Sequence, residues 1–274
     1  MFTYLCIAIA LGIMALLFLL AQKRQKNHQV RFQTIFLLRQ LVALLRQHRQ
    51  LTHQHINGTA NMADTIAISE ANISELQLKL DRVNPHSEFR ILQEQIQLMH
   101  QKWALFNLAR NQIVHGRLIR QSLYLIDETM IMWLTESGKE DLIEQYSSDW
   151  LDVFDGLDSL TQFRIAIIDK NSEQGQIKLE RSAQSLSRRL NKLSLLSPLT
   201  FVDMAQETRL TQLQNSHIAK LCEEDLYQMS SEISSVIFTL YDQVISALCE
   251  SLYLPLPTIA GSSDEKKPVD IQQA

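Results

Sequence analysis

The sequence predicts an all-α protein, with one N-terminal transmembrane helix followed by an antiparallel helical bundle. Three observations carry that reading. Residues 2–21 hold no charged side chain, and the basic positions that follow are Lys23, Arg24, Lys26 and Arg31. The 274 residues include only 7 Gly and 5 Pro, a scarcity that suits long helices rather than β-meanders. From residue 30 onward apolar side chains recur at helical spacing, and no alternating pattern of useful length appears.

The first element is the span itself. Twenty residues at about 1.5 Å each make a helix of about 30 Å, the thickness of a bilayer's hydrocarbon core. A signal peptide needs a basic segment ahead of the apolar run and a small-x-small cleavage site. The run has no basic residue before it, and Leu19-Leu20-Ala21-Gln22 is a poor cleavage site. The basic cluster on its C-terminal side places the rest of the chain in the cytoplasm by the positive-inside rule. The expected layout is an anchor over 1–22, a basic juxtamembrane linker over 23–30, a helical bundle over 31–253 and a disordered tail over 254–274. A single-pass protein of a bacterial-type inner membrane, with its bulk cytoplasmic, fits that layout.

The elements of the bundle follow in order. A helix over 30–56 carries Phe32, Ile35, Leu38, Leu41, Val42 and Leu45 at helical spacing and ends at Asn57-Gly58. A second covers 59–83 and stops before Asn84-Pro85. Residues 87–134 make one or two helices, closed by Ser137-Gly138. A short helix over 140–154 runs to a turn at Asp155-Gly156, and another over 157–170 follows. The next runs from Gly175 to residue 196, with a break at Ser197-Pro198. Residues 199–252 form a long helical stretch with an interruption near Ser230. The Pro-, Ser- and charge-rich end is expected to be disordered. Short connections between helices of this kind give an antiparallel bundle.

Composition excludes some functions. The net charge is −4 and the only basic concentration is juxtamembrane, so nucleic-acid binding has no support. Cys6 lies in the span, and Cys222 and Cys249 have no metal-ligand spacing, as in a reducing cytoplasm. There is no phosphate-binding loop, no dinucleotide fingerprint and no nucleophile elbow, and Ser, His and Asp form no recognisable triad. The expectation is a protein that is not an enzyme and that uses no cofactor.

In an all-helical protein, function should show as polar side chains that the helical period turns inward. At about 100° per residue, Leu38, Leu41, Val42, Leu45 and Ile56 fall within about 60° of one direction. Arg49 sits in the middle of that stripe and Thr52 near its edge. Arg46 lies to one side, and His48 and His55 share the opposite flank. The same arithmetic puts Arg164 inside the apolar face of Leu157, Leu160, Phe163, Ile167 and Ile168. It puts His115 on the inward face of the helix through Leu118, Ile119 and Leu125, with Asn111 and Ser122 beside it. A buried guanidinium needs an anion or acceptors. Internal carboxylates, carbonyls at helix ends and snorkelling are the plain solutions. Asp127 and Glu128 lie off the apolar face, which leaves an external planar oxyanion as the other partner.

At these residues the chain resembles a known family. Leu45-Arg46-Gln47-His48-Arg49-Gln50-Leu51-Thr52 resembles the opening-helix motif of the nitrate- and nitrite-sensing domain family. Asn57-Gly58 stands where that family often has a Gly. His115-Gly116-Arg117-Leu118-Ile119, Leu125-Ile126 and Ser137-Gly138 are similar to its middle segment. Leu160-Thr161-Gln162-Phe163-Arg164-Ile165-Ala166 is similar to its later helix. The likeness covers about residues 31 to 253, in short motifs. Gln50 stands in place of the usual Gly, and Ile165-Ala166 departs from a small pair. The resemblance implies two up-and-down four-helix bundles with nitrate or nitrite held by arginines between helices, and Arg49 and Arg164 are the positions it carries over. His115 and Thr52 complete the candidate anion-binding set.

The remaining constellations read as structural. His53 and His55, spaced i, i+2, share no helix face. His48 and His55 share one but lie two turns apart, so solvated histidines are expected and no metal site. Asp152, Asp155 and Asp158 around Gly156 lack the Ca²⁺-loop pattern and suggest a solvated turn. Tyr124, Trp133, Tyr146 and Trp150 suit bundle packing rather than base stacking. Two functions follow. One is a membrane-anchored sensor of a small oxyanion that signals to a partner protein, since no output module is recognisable. The other is a helical scaffold or adaptor tethered to the inner membrane, its arginines satisfied internally. Either suits a homo-oligomer.

Overall fold

The computed structural model describes residues 2–58, 61–197 and 218–257. Every regular element among them is helical, so the protein is all-α. The helices are α1 (Phe2–Ile56), α2 (Ala63–Val83), α3 (Ser87–Lys102), α4 (Leu108–Glu136), α5 (Ile143–Ile168), α6 (Glu173–Leu193) and α7 (Glu223–Leu252). Single 3-10 turns cover Trp103–Leu105, Glu140–Leu142 and Ile218–Lys220. The chain divides into two compact units, one of residues 1–148 with 245–256 and one of 149–244 with 257–274.

The N-terminal unit is built on α1, which packs chiefly against α4 and α2. The expected anchor, linker and first bundle helix are one continuous helix of 55 residues. Seven of positions 22–31 are glutamine, lysine or arginine, all good helix formers, and no glycine or proline interrupts them. Gly12 is the only glycine in α1 and the helix has no proline. Among the described side chains, the large apolar ones at Tyr4, Ile7 and Ile9 and from Leu11 to Leu20 are 53–78 % exposed.

α1 and α4 run antiparallel. Arg31 forms an ion pair with Glu136 at 2.7 Å, His28 accepts from Trp133 Nε1, His48 meets His115 and Thr52 meets Asn111. On α1 the most deeply buried line is Thr34, Leu38, Leu41, Leu45, His48 and Thr52, each no more than 1 % exposed. On α4 it is Asn111, His115, Leu118, Ser122, Leu125 and Thr129, all buried. Both lines step by alternating fours and threes, a 3.5-residue period that keeps two helices in contact along their length. Leucines alternate with hydroxyl side chains along the seam, and its histidines gather at the end nearest Thr52.

Residues 87–134 resolve as two helices. The chain leaves α3 through the Trp103–Leu105 turn, and Asn107 caps α4 by accepting from the Arg110 backbone N–H. Gly138 closes α4 with φ +67°, a left-handed conformation that glycine adopts without strain. Asn84 ends α2, ahead of Pro85 as expected. α2 itself begins at Ala63, later than the sequence suggested; residues 59 and 60 lie outside the described residues.

The second unit packs α5, from Asp149, with α6 and most of α7. Here the sequence misleads three times. The turn expected at Asp155-Gly156 is absent, and α5 runs straight through. Gly156 serves packing: a Cβ there would lie 2.8 Å from Leu193 Cδ1 and 3.6 Å from Ile237 Cδ1. The acidic run is not a solvated turn either. Asp152 is buried and bonded to Lys192, and Asp155 pairs with Arg189 at 2.7 Å. The interruption expected near Ser230 is also absent, since α7 continues through it. Gly175, in the first turn of α6, lies so close to the Asp169 carbonyl that a Cβ would overlap it.

Trp133, Tyr146 and Trp150 are buried as expected, whereas Tyr124 is half exposed. The break at Pro198, residues 199–217 and tail residues 258–274 lie outside the described residues. Tail residues 254–257 have no regular structure, but Leu256 is buried. By length and composition α7 could cross a membrane, though half of its apolar window is buried inside the protein, as in the core helix of a soluble protein. It lies near the C-terminal end, not at residues 2–21.

Gly156→Val should cost about 1–3 kcal/mol through overpacking against Leu193. The check is a thermal melt followed by far-UV circular dichroism. Gly12→Ala, with nothing within 4 Å of the new methyl, should not lower the melting temperature.

Candidate functional site

The polar end of the α1–α4 seam gathers titratable side chains from α1, α2, α3 and α4. His48 and His115 are fully buried, 0 % exposed. The expectation of a solvated His48 is therefore wrong. A 3.6-residue period put His48 on the flank, but the buried line follows 3.5 residues and reaches it four residues before Thr52.

The hydrogen bonds fix the protonation of this pair. His115 Nδ1 lies 2.9 Å from the Asn111 carbonyl oxygen, which can only accept, so Nδ1 carries the proton. In neutral His115, Nε2 is then a lone pair. His48 Nδ1 lies 2.8 Å from it and must donate. His48 Nε2 is left as a lone pair, buried and without a hydrogen-bond partner. It faces Glu70 Oε1 of α2 at 3.5 Å.

Glu70 is held in place by Trp103, whose indole Nε1–H donates to the same oxygen at 2.7 Å. His100 of α3 completes the group, its ring centroid 5.4 Å from that of His48 and its Nε2 also buried without a hydrogen-bond partner. One donor atom from each of His48, Glu70 and His100 lies within 4.8 Å of the other two. These are the ligand types and numbers that a transition-metal site uses. Glu70 and His100 did not stand out in the sequence. Each follows an apolar residue by one turn, Ile66 and Ile96, and flanks the buried stripe of its helix.

Burial dominates the electrostatics. It holds His48 down to about 3, with His100 adding to the effect, and holds His100 down to about 4. Burial, and after it His48, holds His115 well below its usual value. Burial raises the Glu70 carboxyl, against the hydrogen bond from Trp103.

The residues expected to bind an anion are placed as follows. Arg49 is half-buried on α1, and its guanidinium has no hydrogen-bond or ion-pair partner among the described residues. Burial, with Arg46 second, lowers its pKa to about 9, so it remains a cation at neutral pH. Thr52 Oγ1 lies 2.8 Å from the His48 carbonyl and 3.0 Å from Asn111 Oδ1. Arg49, Thr52 and His115 share the N-terminal unit; Arg164 belongs to the second. There Arg164 donates through Nε to Ser230 Oγ at 3.0 Å and through Nη2 to the Ser230 carbonyl at 2.9 Å. The chain matches no protein-family model, no curated protein and no solved structure.

The three histidines make the fold acid-sensitive. Their folded pKa values lie below the unfolded value near 6.5, so the unfolded chain takes up protons first as the pH falls. The contributions of His48 and His100 are complete above about pH 6.5 and are lost as the pH falls toward about 3 and about 4 respectively, at roughly 1.4 kcal/mol per pH unit for each, and buried His115 acts in the same direction. Glu70, raised in the folded state, works in the opposite direction, as one group against three. In chelator-treated protein the melting temperature should fall steeply between about pH 7 and about pH 5. His100→Gln should flatten that fall, which a pH series of thermal melts would measure.

Proposed function

We propose that this protein is a membrane-anchored helical sensory domain that takes a small planar oxyanion, nitrate or nitrite first, in its N-terminal unit. The observation that carries the reading is Arg49. A half-buried guanidinium between helices, desolvated and beside Arg46, has no acceptor among the described residues. A planar oxyanion offers two acceptors matched to its fork and offsets the charge. Binding there draws on differential affinity between two arrangements of the bundle, and the signal passes to a partner protein. In this reading each unit belongs to an up-and-down four-helix bundle.

The anchor is residues 2–21. Their exposed apolar side chains, from Tyr4 to Leu20, would sit in lipid, and Lys23, Arg24, Lys26 and Arg31 would lie at the cytoplasmic face of an inner membrane. One observation favours the alternative, a tethered scaffold without a ligand: Arg164 is satisfied inside its own unit by Ser230. The sensory reading therefore rests on Arg49 and not on a pair of arginines.

In chelator-treated full-length protein in detergent, millimolar nitrate or nitrite should raise the melting temperature by about 2–4 °C, and chloride should not. Arg49→Ala should abolish the shift. A folded sample that shows no shift with either anion leaves the scaffold reading standing. The anchor has its own test in liposome flotation. Leu16→Arg with Leu17→Arg, at about 2.5–3.5 kcal/mol each in the middle of a span, should move the protein out of the lipid fraction.

A further inference from the structure

We infer that His48, Glu70 and His100 form a binding site for a divalent first-row transition metal, with zinc as the favoured ion. The inference begins with the tautomer chain. The Asn111 carbonyl fixes His115, His115 fixes His48, and the outcome is an imidazole lone pair aimed at a carboxylate oxygen 3.5 Å away. With both histidines neutral and Glu70 ionised, two acceptors face each other. That arrangement is unfavourable in a buried setting unless a cation lies between the two.

His100 Nε2, also buried and without a hydrogen-bond partner, adds a second imidazole to the same point. Two imidazoles and a carboxylate are borderline-soft donors that suit zinc and its neighbours rather than calcium or magnesium. Metal bonds of about 2.0–2.2 Å put the ligand atoms of a tetrahedral site about 3.3–3.5 Å apart. His48 and Glu70 already stand at 3.5 Å. The widest separation in the group, within 4.8 Å, closes by rotation of Glu70 or His100, both only half-buried.

The surrounding bonds are those that metal ligands use. A ligating imidazole donates its other N–H to an acceptor, and a ligating carboxylate takes an outer hydrogen bond. His48 Nδ1–H donates to His115, and Glu70 receives the Trp103 indole. His115 is a positioning residue: it keeps the His48 lone pair on Nε2. Three protein ligands leave a fourth position on the metal for water or an anion.

The site stands independently of the anchor and of the oxyanion reading. The test uses the full-length chain in detergent, stripped of metal and titrated with Zn²⁺ against a chromogenic chelator. Absorption spectra of the Co²⁺ form report the coordination. One ion per chain is expected, with a nitrogen- and oxygen-ligated four-coordinate cobalt spectrum. Glu70→Gln and His100→Gln should each weaken binding tenfold or more, while His86→Gln, at an exposed histidine, should not. His115→Leu should weaken binding, and His115→Gln, which keeps an acceptor for His48, should restore most of it. Glu70→Gln keeps an acceptor for Trp103, so it remains informative should His100→Gln misfold. The proposal is overturned if the chain binds no zinc, or if Glu70→Gln binds as the wild type does. Arg49→Ala should retain zinc, so loss of the anion response and loss of the metal are read separately.

Discussion

The hydrogen bond between His48 and His115 is the constraint on which the rest of the N-terminal unit depends. It crosses the α1–α4 seam near Thr52, in a run whose other buried positions are leucines with Thr34, Ser122 and Thr129. Two neutral imidazoles in contact are tolerated in a dry seam only when every nitrogen is assigned. The Asn111 carbonyl takes one proton and His115 takes the next, which commits the last nitrogen of His48 to face α2 and α3. The orientation of Glu70 and His100 then acquires meaning. Removing the histidine pair would remove the reason for the polar layer.

The two inward arginines show how similar sequence signals diverge. Both lie four residues after an apolar position on a core-facing stripe, Leu45 for Arg49 and Leu160 for Arg164. Arg164 finds a serine whose hydroxyl already donates to the Tyr227 carbonyl, so the Ser230 oxygens are free to accept. Carbonyl oxygens have a second lone pair, and a helix can therefore satisfy a guanidinium without losing its own ladder. Arg49 has the Arg46 cation as a neighbour instead. The difference lies in the facing helix and cannot be read along one helix alone.

The helical architecture was legible from composition and punctuation: Asn84-Pro85, Ser137-Gly138 and Asn57-Gly58 all end helices where expected. Gly156 was not, because a glycine that admits Leu193 against a helix looks, in sequence, like one that makes a turn. His115 was legible because its helix follows one face for its whole length. His48 was misread because a 3.5-residue seam drifts about 20° per heptad from a straight-helix projection, enough to bring a flanking residue into the core. Glu70 and His100 were illegible for a different reason. Each is an ordinary flank residue on its own helix, and they gain significance only when three helices place them around one nitrogen.

A single helix carries both the apolar segment and His48. His48 lies 27 positions after Ala21, about 40 Å along the helix, with neither glycine nor proline between them. Kinks in helices come from such residues or from inserted side chains, so α1 has no hinge along that length. If the apolar segment lies in a bilayer, a change at His48 reaches the membrane as a shift or tilt of the whole rod. Because α1 packs along α4 through a seam of defined register, the displacements it can make at low cost are slides or rolls within that seam. The polar layer at its end, with the His48, Glu70 and His100 acceptors on one side and a cationic Arg49 next in sequence, is the part of the seam whose packing a bound ion would change most. Ligand chemistry and membrane position would then be coupled through one structural element, and no separate relay between them is needed.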